Sequence, residues 1–263
     1  MKMLIALAAA TLAANMFAET ANVAPQQGQK KGPTPEQRER FRRMIGEFVT
    51  KPNSQKGKIA FINTQAEIKE EAFSSLAAEQ AKHSGFNIVY EKAAAGAPAA
   101  LKAGSKADIA VIVVADDTTP ALLAAVEDGW AVVNVRRVGE GLATPEAKAK
   151  FLESRCQKEV LRAFATIGGG LSSQYPDNLM DITKLADLDL CGVFIPNDAE
   201  RAMKKVLGAR GVTPTFKAHY RQACMQGWAP APTNDIQKAI WDKVHQLPTK
   251  PIQIKFDPKT DKK

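Results

Sequence analysis

The sequence predicts an α/β (α+β) protein, with a twisted mixed sheet, flanking helices and a mostly helical C-terminal half. Short apolar runs typical of strands alternate with helical patterns between residues 58 and 135. The run 108–115 (DIAVIVVA) is the most hydrophobic of them, so we expect it to be a central strand covered on both faces. Beyond residue 138 the pattern is mainly helical.

The first 18 residues have the pattern of a secretory signal peptide. Lys2 precedes an apolar run over residues 3–14, and the small residue Ala18 precedes the expected cleavage point. The run is shorter than the ~20 residues that a lasting membrane span requires. We therefore expect no membrane span, and export to a periplasm or to the cell exterior.

The remainder of the chain is expected to contain one globular domain. Residues 19–35 are polar and rich in Pro, Gln and Gly, which predicts a disordered leader. The globular domain then covers 36–263, with an α/β half at 36–137 and a mainly helical half at 138–263.

The elements follow from periodicity and from residues that start and stop helices. Thr34 and Pro35 are typical of a helix start. The predicted helices are 35–49, 66–84, 120–128, 145–167, 198–208, 214–226 and 233–246, and the predicted strands are 58–63, 86–90, 108–115, 130–135 and 252–256. The segment 93–107 is expected to be a short helix or a loop.

Charge and cysteine content exclude several classes of protein. The formal net charge is +8, but the basic residues are mixed with acids and are not interleaved with aromatic residues, so we expect no nucleic-acid binding. The chain has three cysteines (Cys156, Cys191 and Cys224) and no CxxC pair. One disulfide is compatible with this count, and its pairing is left open.

The most informative segment is the end of the long predicted helix, VLRAFATIGGGLS over 160–172, followed by Met180. A long helix that ends at glycine after an α/β half, with a methionine downstream, resembles the metzincin zinc peptidases, in particular the archaemetzincins. In that family two His on one helix face and a third beyond the glycine bind zinc, and a Glu beside the first His is the general base. The glycine run is equally compatible with a helix C-cap in an unrelated α/β fold.

The resemblance spans about residues 56–185 and implies which positions correspond to the family's active site. It places Arg162 at the first His, Ala163 at the Glu, Thr166 at the second His, Gly169 at the glycine, Ser172 at the third His and Met180 in the Met turn. None of these residues is a typical zinc ligand, so we expect neither metal nor cofactor. The resemblance therefore implies a catalytically degenerate peptidase.

The best acidic pair in the sequence is Asp116-Asp117, directly after the central strand. Open α/β sheets place ligands at this end of their strands, and two close carboxylates can share a proton and activate water. However, adjacent residues on a strand point to opposite faces. The simpler interpretation is that Asp117 or Thr119 caps the next helix.

We therefore expect an exported protein that binds an extracellular protein or peptide, glycoproteins included. The binding site would lie between the strand 130–137, taken as an edge strand, and the glycine-ended helix. The alternative is an active secreted peptidase that uses Asp116 and Asp117 on extracellular or host glycoproteins, and a structural envelope protein is a third interpretation. The ligand and the oligomeric state do not follow from the sequence.

Overall fold

The computed structural model describes residues 34–65, 68–170, 172–175 and 177–246. The predicted signal peptide, nearly all of the leader and the predicted strand 252–256 lie outside these residues. None of the helices in the described part of the chain is long and apolar enough to cross a membrane.

The described chain is a mixed α/β structure, as predicted. Its strands are β1 (Phe48–Thr50), β2 (Ile59–Asn63), β3 (Ile88–Lys92), β4 (Ile109–Val114), β5 (Leu122–Ala125), β6 (Trp130–Asn134) and β7 (Lys217–His219). Its helices are α1 (Pro35–Ile45), α2 (Glu70–Ser84), α3 (Pro98–Ser105), α4 (Val135–Val138), α5 (Pro145–Ile167), α6 (Asn197–Ala209), α7 (Tyr220–Met225) and α8 (Asp235–His245), with 3₁₀ turns at Leu179–Asp181 and Leu185–Asp189.

Among the residues described, five strands form the main sheet, in the order β3-β2-β4-β6-β5. β2, β3, β4 and β6 are parallel, and β5 is antiparallel to β6 at one edge. β4 is the central strand, as its hydrophobicity predicted, and all but its last residue are buried. Helices cover both faces of the sheet: α2 and α5 pack on the face that contains Phe61 and Val111, and α3 packs on the face that contains Ala60.

The helix predicted at 120–128 is wrong, because this segment contains strand β5. Leu122 lies opposite Val133, and Ala125 lies opposite Trp130. Pairing with β6 outweighs the weak helical preference of a short Ala/Leu segment, a tertiary effect that local sequence does not reveal. A second consequence follows: β6 is hydrogen-bonded to β4 on one side and to β5 on the other, so the prediction that 130–137 is an edge strand is also wrong.

Two further helices are shorter than predicted, for a shared reason. α1 ends at Ile45 because Gly46 has φ +75°, and Phe48–Thr50 then pairs with Lys217–His219. The predicted helix 214–226 is accordingly reduced to α7. This two-stranded sheet joins segments about 170 residues apart, which no local pattern can indicate.

The long helix is confirmed from Pro145 to Ile167. The Thr144 hydroxyl accepts a hydrogen bond from the Ala147 N–H (3.1 Å) and caps its first turn. After Ile167 the chain reverses at Gly169, which has φ +76°, a value that glycine adopts without strain. None of the three cysteines forms a disulfide; Cys156 and Cys224 are buried and Cys191 is partly exposed.

Candidate functional site

The predicted site residues on α5 include an arginine that pairs with a buried carboxylate. Arg162 Nη1 donates to Glu159 Oε1 (3.1 Å), and Arg162 Nη2 donates to the Ile182 carbonyl (3.3 Å). The Glu159 side chain is fully buried, whereas that of Arg162 is 27% exposed. Burial raises the pKa of Glu159, and the nearby Arg162 charge offsets only part of that rise.

The other predicted positions on the helix have structural contacts. Ala163 is completely buried in the core between α5 and the sheet. The Thr166 hydroxyl donates to the Arg162 carbonyl one turn earlier (2.9 Å), a common arrangement for threonine in helices. Arg162 and Thr166 thus share a helix face, as their i, i+4 spacing requires.

The three remaining positions lie beyond the helix. Gly169 makes the chain reversal described above. Ser172 is exposed, and no hydrogen bond within the described residues joins it to Arg162 or Thr166. Met180 lies in the 3₁₀ turn Leu179–Asp181 and packs against the edge of the core.

The side chains that would correspond to zinc ligands do not fit a zinc ion. Arg162 carries a fixed positive charge, and the hydroxyls of Thr166 and Ser172 are weak ligands compared with imidazole or thiolate. Across 34–65, 68–170, 172–175 and 177–246, there is no group of three His, Cys, Asp or Glu side chains that could hold a metal ion. That these positions correspond to the zinc site of a peptidase stays a prediction.

Sequence reasoning missed the charged residues that fix α5 to the following loop. Arg155 forms a bidentate pair with Asp189 (2.8 and 2.6 Å), and Lys158 Nζ donates to the Leu188 carbonyl (2.6 Å). Arg155, Lys158 and Glu159 are all buried. Charged residues at i, i+3, i+4 and i+7 on an otherwise apolar helix face, here 155, 158, 159 and 162, are the signal that could have found them.

The Asp116 carboxylate is occupied by the turn that follows β4. It accepts hydrogen bonds from the backbone N–H and the hydroxyl of both Thr118 and Thr119 (2.6–3.1 Å). These bonds lower the pKa of Asp116 to about 2, and the bonds from Thr119 have the largest effect. The turn leads into a strand, so the prediction that Asp117 or Thr119 caps a helix is wrong.

Asp117 has a different environment from its neighbour. Its side chain is 86% exposed and pairs with Arg136 Nη1 (2.7 Å), and its backbone carbonyl accepts a hydrogen bond from Arg137 (2.6 Å). The hydrogen bonds of Asp116 and Asp117 therefore involve separate partners, and no bond joins the two carboxylates. This geometry does not favour a shared-proton pair.

Strand β5 has an open edge and no charged residue. The Asn134 N–H donates to the Ala121 carbonyl (3.0 Å), and because hydrogen-bonded pairs alternate in antiparallel strands, the N–H and C=O groups of Leu122 and Ala124 point away from β6. Within the described chain no strand pairs with this side. The Leu123 side chain is 44% exposed.

The chain was compared with known proteins. No protein-family model matches it, and no curated protein is significantly similar. Among solved structures it is similar to an archaemetzincin from Methanopyrus kandleri, with 13% identity and a TM-score of 0.45 over 61% of this chain and 99% of that chain. The zinc-dependent peptidase from Methanocorpusculum labreanum gives 12% identity and a TM-score of 0.40 over 56% and 100% of the two chains.

A third structure, an archaemetzincin from Archaeoglobus fulgidus complexed with malonate, gives 16% identity and a TM-score of 0.34 over 55% of this chain and 99% of that chain. At these identities and TM-scores the function has to be argued from this chain's own side chains.

Proposed function

We propose that this chain is an exported, catalytically degenerate metzincin-like protein that binds an extended segment of an extracellular protein along the open edge of β5. The observation that carries the proposal is the outward direction of the Leu122 and Ala124 backbone groups. A peptide added antiparallel or parallel to this edge would pair with those groups through its own backbone.

The opposite edge of the sheet provides a useful contrast. β3 carries Glu91 and Lys92, which pair with Lys58 (2.5 Å) and Glu70 (3.5 Å). Charges on an edge strand discourage the addition of further strands, and β5 contains no charge. The difference favours β5 as the docking edge.

The side chains on α5 support binding without hydrolysis. Ala163 is buried in the core, and the Thr166 hydroxyl donates a hydrogen bond to a backbone carbonyl. Arg162 donates a hydrogen bond to Glu159, which among the described residues is the only carboxylate on this part of the helix. Nothing in this set supplies a nucleophile or a general base poised to activate water. The alternative, a secreted peptidase that uses Asp116 and Asp117, requires chemistry that the occupied Asp116 carboxylate does not favour.

A peptide-binding experiment tests the proposal. Peptides selected from a display library by the mature protein are expected to bind at least ~10-fold more weakly to Leu123→Lys, because an edge charge opposes strand addition. Leu190→Lys is the matched control. Leu190 is 80% exposed and lies outside β5, so this substitution should not alter the affinity for the peptide. Equal affinity for both variants would overturn the proposed binding edge.

Two other measurements separate the alternatives. Cleavage of the selected peptides, lost in Asp116→Asn or Asp117→Asn, would contradict a binding protein and support the carboxylate peptidase. A wild-type dimer that Leu123→Lys converts to a monomer, with no selected peptide, would show that a second copy occupies the edge and would likewise contradict the proposal.

A further inference from the structure

A cavity of about 630 Å³ lies between the C-terminal end of α2 and the segment 214–217. Its lining shares no residue with α5 or β5. Four basic side chains line it: Lys82, His83, Lys204 and Lys217, which we call the basic pocket. Such a concentration of one charge in a partly enclosed space raises the local concentration of counter-ions.

Only part of this positive charge is neutralised by the protein. Glu200 is 6% exposed, and its carboxylate contacts Lys204 Nζ (2.5 Å) and His83 Nδ1 (3.3 Å). Lys82 and Lys217 are exposed, and neither has an ion-pair partner among the described residues. Two lysine charges therefore remain available to a ligand.

The C-terminal end of α2 opposes anion binding, but too weakly to cancel this charge. Two carbonyl groups near this end have donors of their own: Ala81 O accepts from the Gly85 N–H (2.9 Å), and Gly85 O accepts from the Thr215 N–H (2.7 Å) and from Gln55 Nε2 (2.9 Å). The donors of these two carbonyls are therefore groups other than the lysines. The helix dipole contributes roughly half a negative charge at this end, compared with two unpaired lysines.

We propose that the basic pocket binds a multiply charged oxyanion of the phosphate type, carried on a larger organic molecule. Lysine ammonium groups bind phosphate as point charges. The cavity lies within the ~300–1,000 Å³ typical of small-molecule sites and is larger than one phosphate requires. Phe216 lines the cavity, is 43% exposed and packs edge-on against Trp228 (5.8 Å between centroids), which offers an apolar surface to the rest of the molecule.

Calorimetric titration with inorganic pyrophosphate at about 150 mM salt tests this site, since that ionic strength screens weak surface attraction. Wild-type protein is expected to bind one pyrophosphate, and Lys82→Gln/Lys217→Gln to bind at least ~10-fold more weakly. The control is Lys148→Gln/Lys150→Gln, which removes the same charge from exposed positions on α5. No binding to the wild type, or equal losses in both double variants, would overturn the proposal.

A vesicle arm distinguishes the two sources of such a group. Vesicles that contain phosphatidic acid are expected to bind, in competition with pyrophosphate, if the natural ligand is a lipid headgroup. Pyrophosphate binding without vesicle binding indicates a soluble phosphorylated molecule. Vesicle binding that is unchanged by Lys82→Gln/Lys217→Gln and by pyrophosphate would place lipid attachment elsewhere and contradict the basic pocket as the headgroup site.

Discussion

Arg162 and Glu159 lie one turn apart on α5, and the arginine contacts a carboxylate that is completely buried (3.1 Å). Only one oxygen of that carboxylate is satisfied, because Glu159 Oε2 is buried without a hydrogen-bond partner in the described structure. The stability of this helix face therefore depends on a single partly exposed cation, which leads to the first two predictions.

Arg162→Ala should destabilise the protein by about 3 kcal/mol at neutral pH, because it leaves the buried Glu159 carboxyl group without Arg162 as its partner. The double variant Arg162→Ala/Glu159→Gln should recover most of the loss, since no buried charge then remains. Urea unfolding of both variants measures the effect. A double variant as unstable as the single one would mean that Arg162 acts through packing rather than through charge.

The pH dependence of Glu159 has a defined sign. Its pKa is raised in the folded protein, first by burial, so the folded state binds the proton more tightly than the unfolded chain does. Protonated Glu159 therefore contributes to the stability of the folded protein. This contribution is complete below the pKa that Glu159 has in the unfolded chain, and it is lost as pH rises through the pKa that Glu159 has in the folded protein. Glu159→Gln should therefore be at least as stable as wild type at pH 7. As pH falls toward 4.5, the ordinary pKa of a glutamate, the stability of wild type relative to Glu159→Gln should rise.

Unfolding curves of Glu159→Gln and wild type at several pH values check this prediction. The prediction would be contradicted if the stability of wild type relative to Glu159→Gln increased as pH rises, because that result requires a lowered pKa of Glu159 in the folded protein.

Asp116 should show the opposite pH dependence. Its pKa falls from 3.8 to about 2 through bonds from Thr119 and Thr118, so its contribution is present above 3.8 and is lost as pH falls through about 2. Asp116→Asn should lower Tm by a few degrees at neutral pH, and the difference should shrink in acid. Asp117→Asn is the control, because that side chain is 86% exposed. A similar, pH-independent loss in both variants would exclude the assigned role of Asp116.

Gly169 should resist replacement even by alanine. Its φ is +76°, and an added Cβ would lie 2.9 Å from Val206 Cγ2. Gly169→Ala should cost at least ~1 kcal/mol, by analogy with alanine placed in the left-handed region. Gly104→Ala, in α3 with no atom within 4 Å of the added Cβ, should be neutral or stabilising. Thermal unfolding measures the stability of the two variants. Equal changes in Gly169→Ala and Gly104→Ala would contradict the backbone strain expected at position 169.

Arg155→Lys should be costly despite the retained charge. Arg155 Nε and Nη2 bind both oxygens of Asp189, and Nη1 contacts the Val138 and Glu140 carbonyls (3.3 and 3.2 Å). A lysine ammonium cannot make this planar set of bonds, so we expect a loss of about 2 kcal/mol in urea unfolding. Arg201→Lys on the exposed face of α6 should change stability little. If Arg201→Lys loses as much stability, the loss in Arg155→Lys does not come from the planar set of bonds that Arg155 makes.

The sequence predicted those elements whose signals are local. The central strand β4 follows from an apolar run, and α5 follows from a long helical segment with a glycine run at its end. The edge position of β5 was not predictable, because four Leu and Ala residues fit a helix as well as a strand until β6 is beside them. For the same reason the sequence points to β6, and not to β5, as the docking edge.

By itself the sequence determined the fold class, the long helix and the side chains that this helix carries, Arg162, Ala163 and Thr166 among them. Only the tertiary structure decided what those side chains contact: Arg162 with a buried carboxylate, Asp116 with its own turn, and three lysines with one cavity. The physical reason is that chain reversals and strand pairing bring together residues far apart in sequence, and burial then sets their charge and hydrogen bonding.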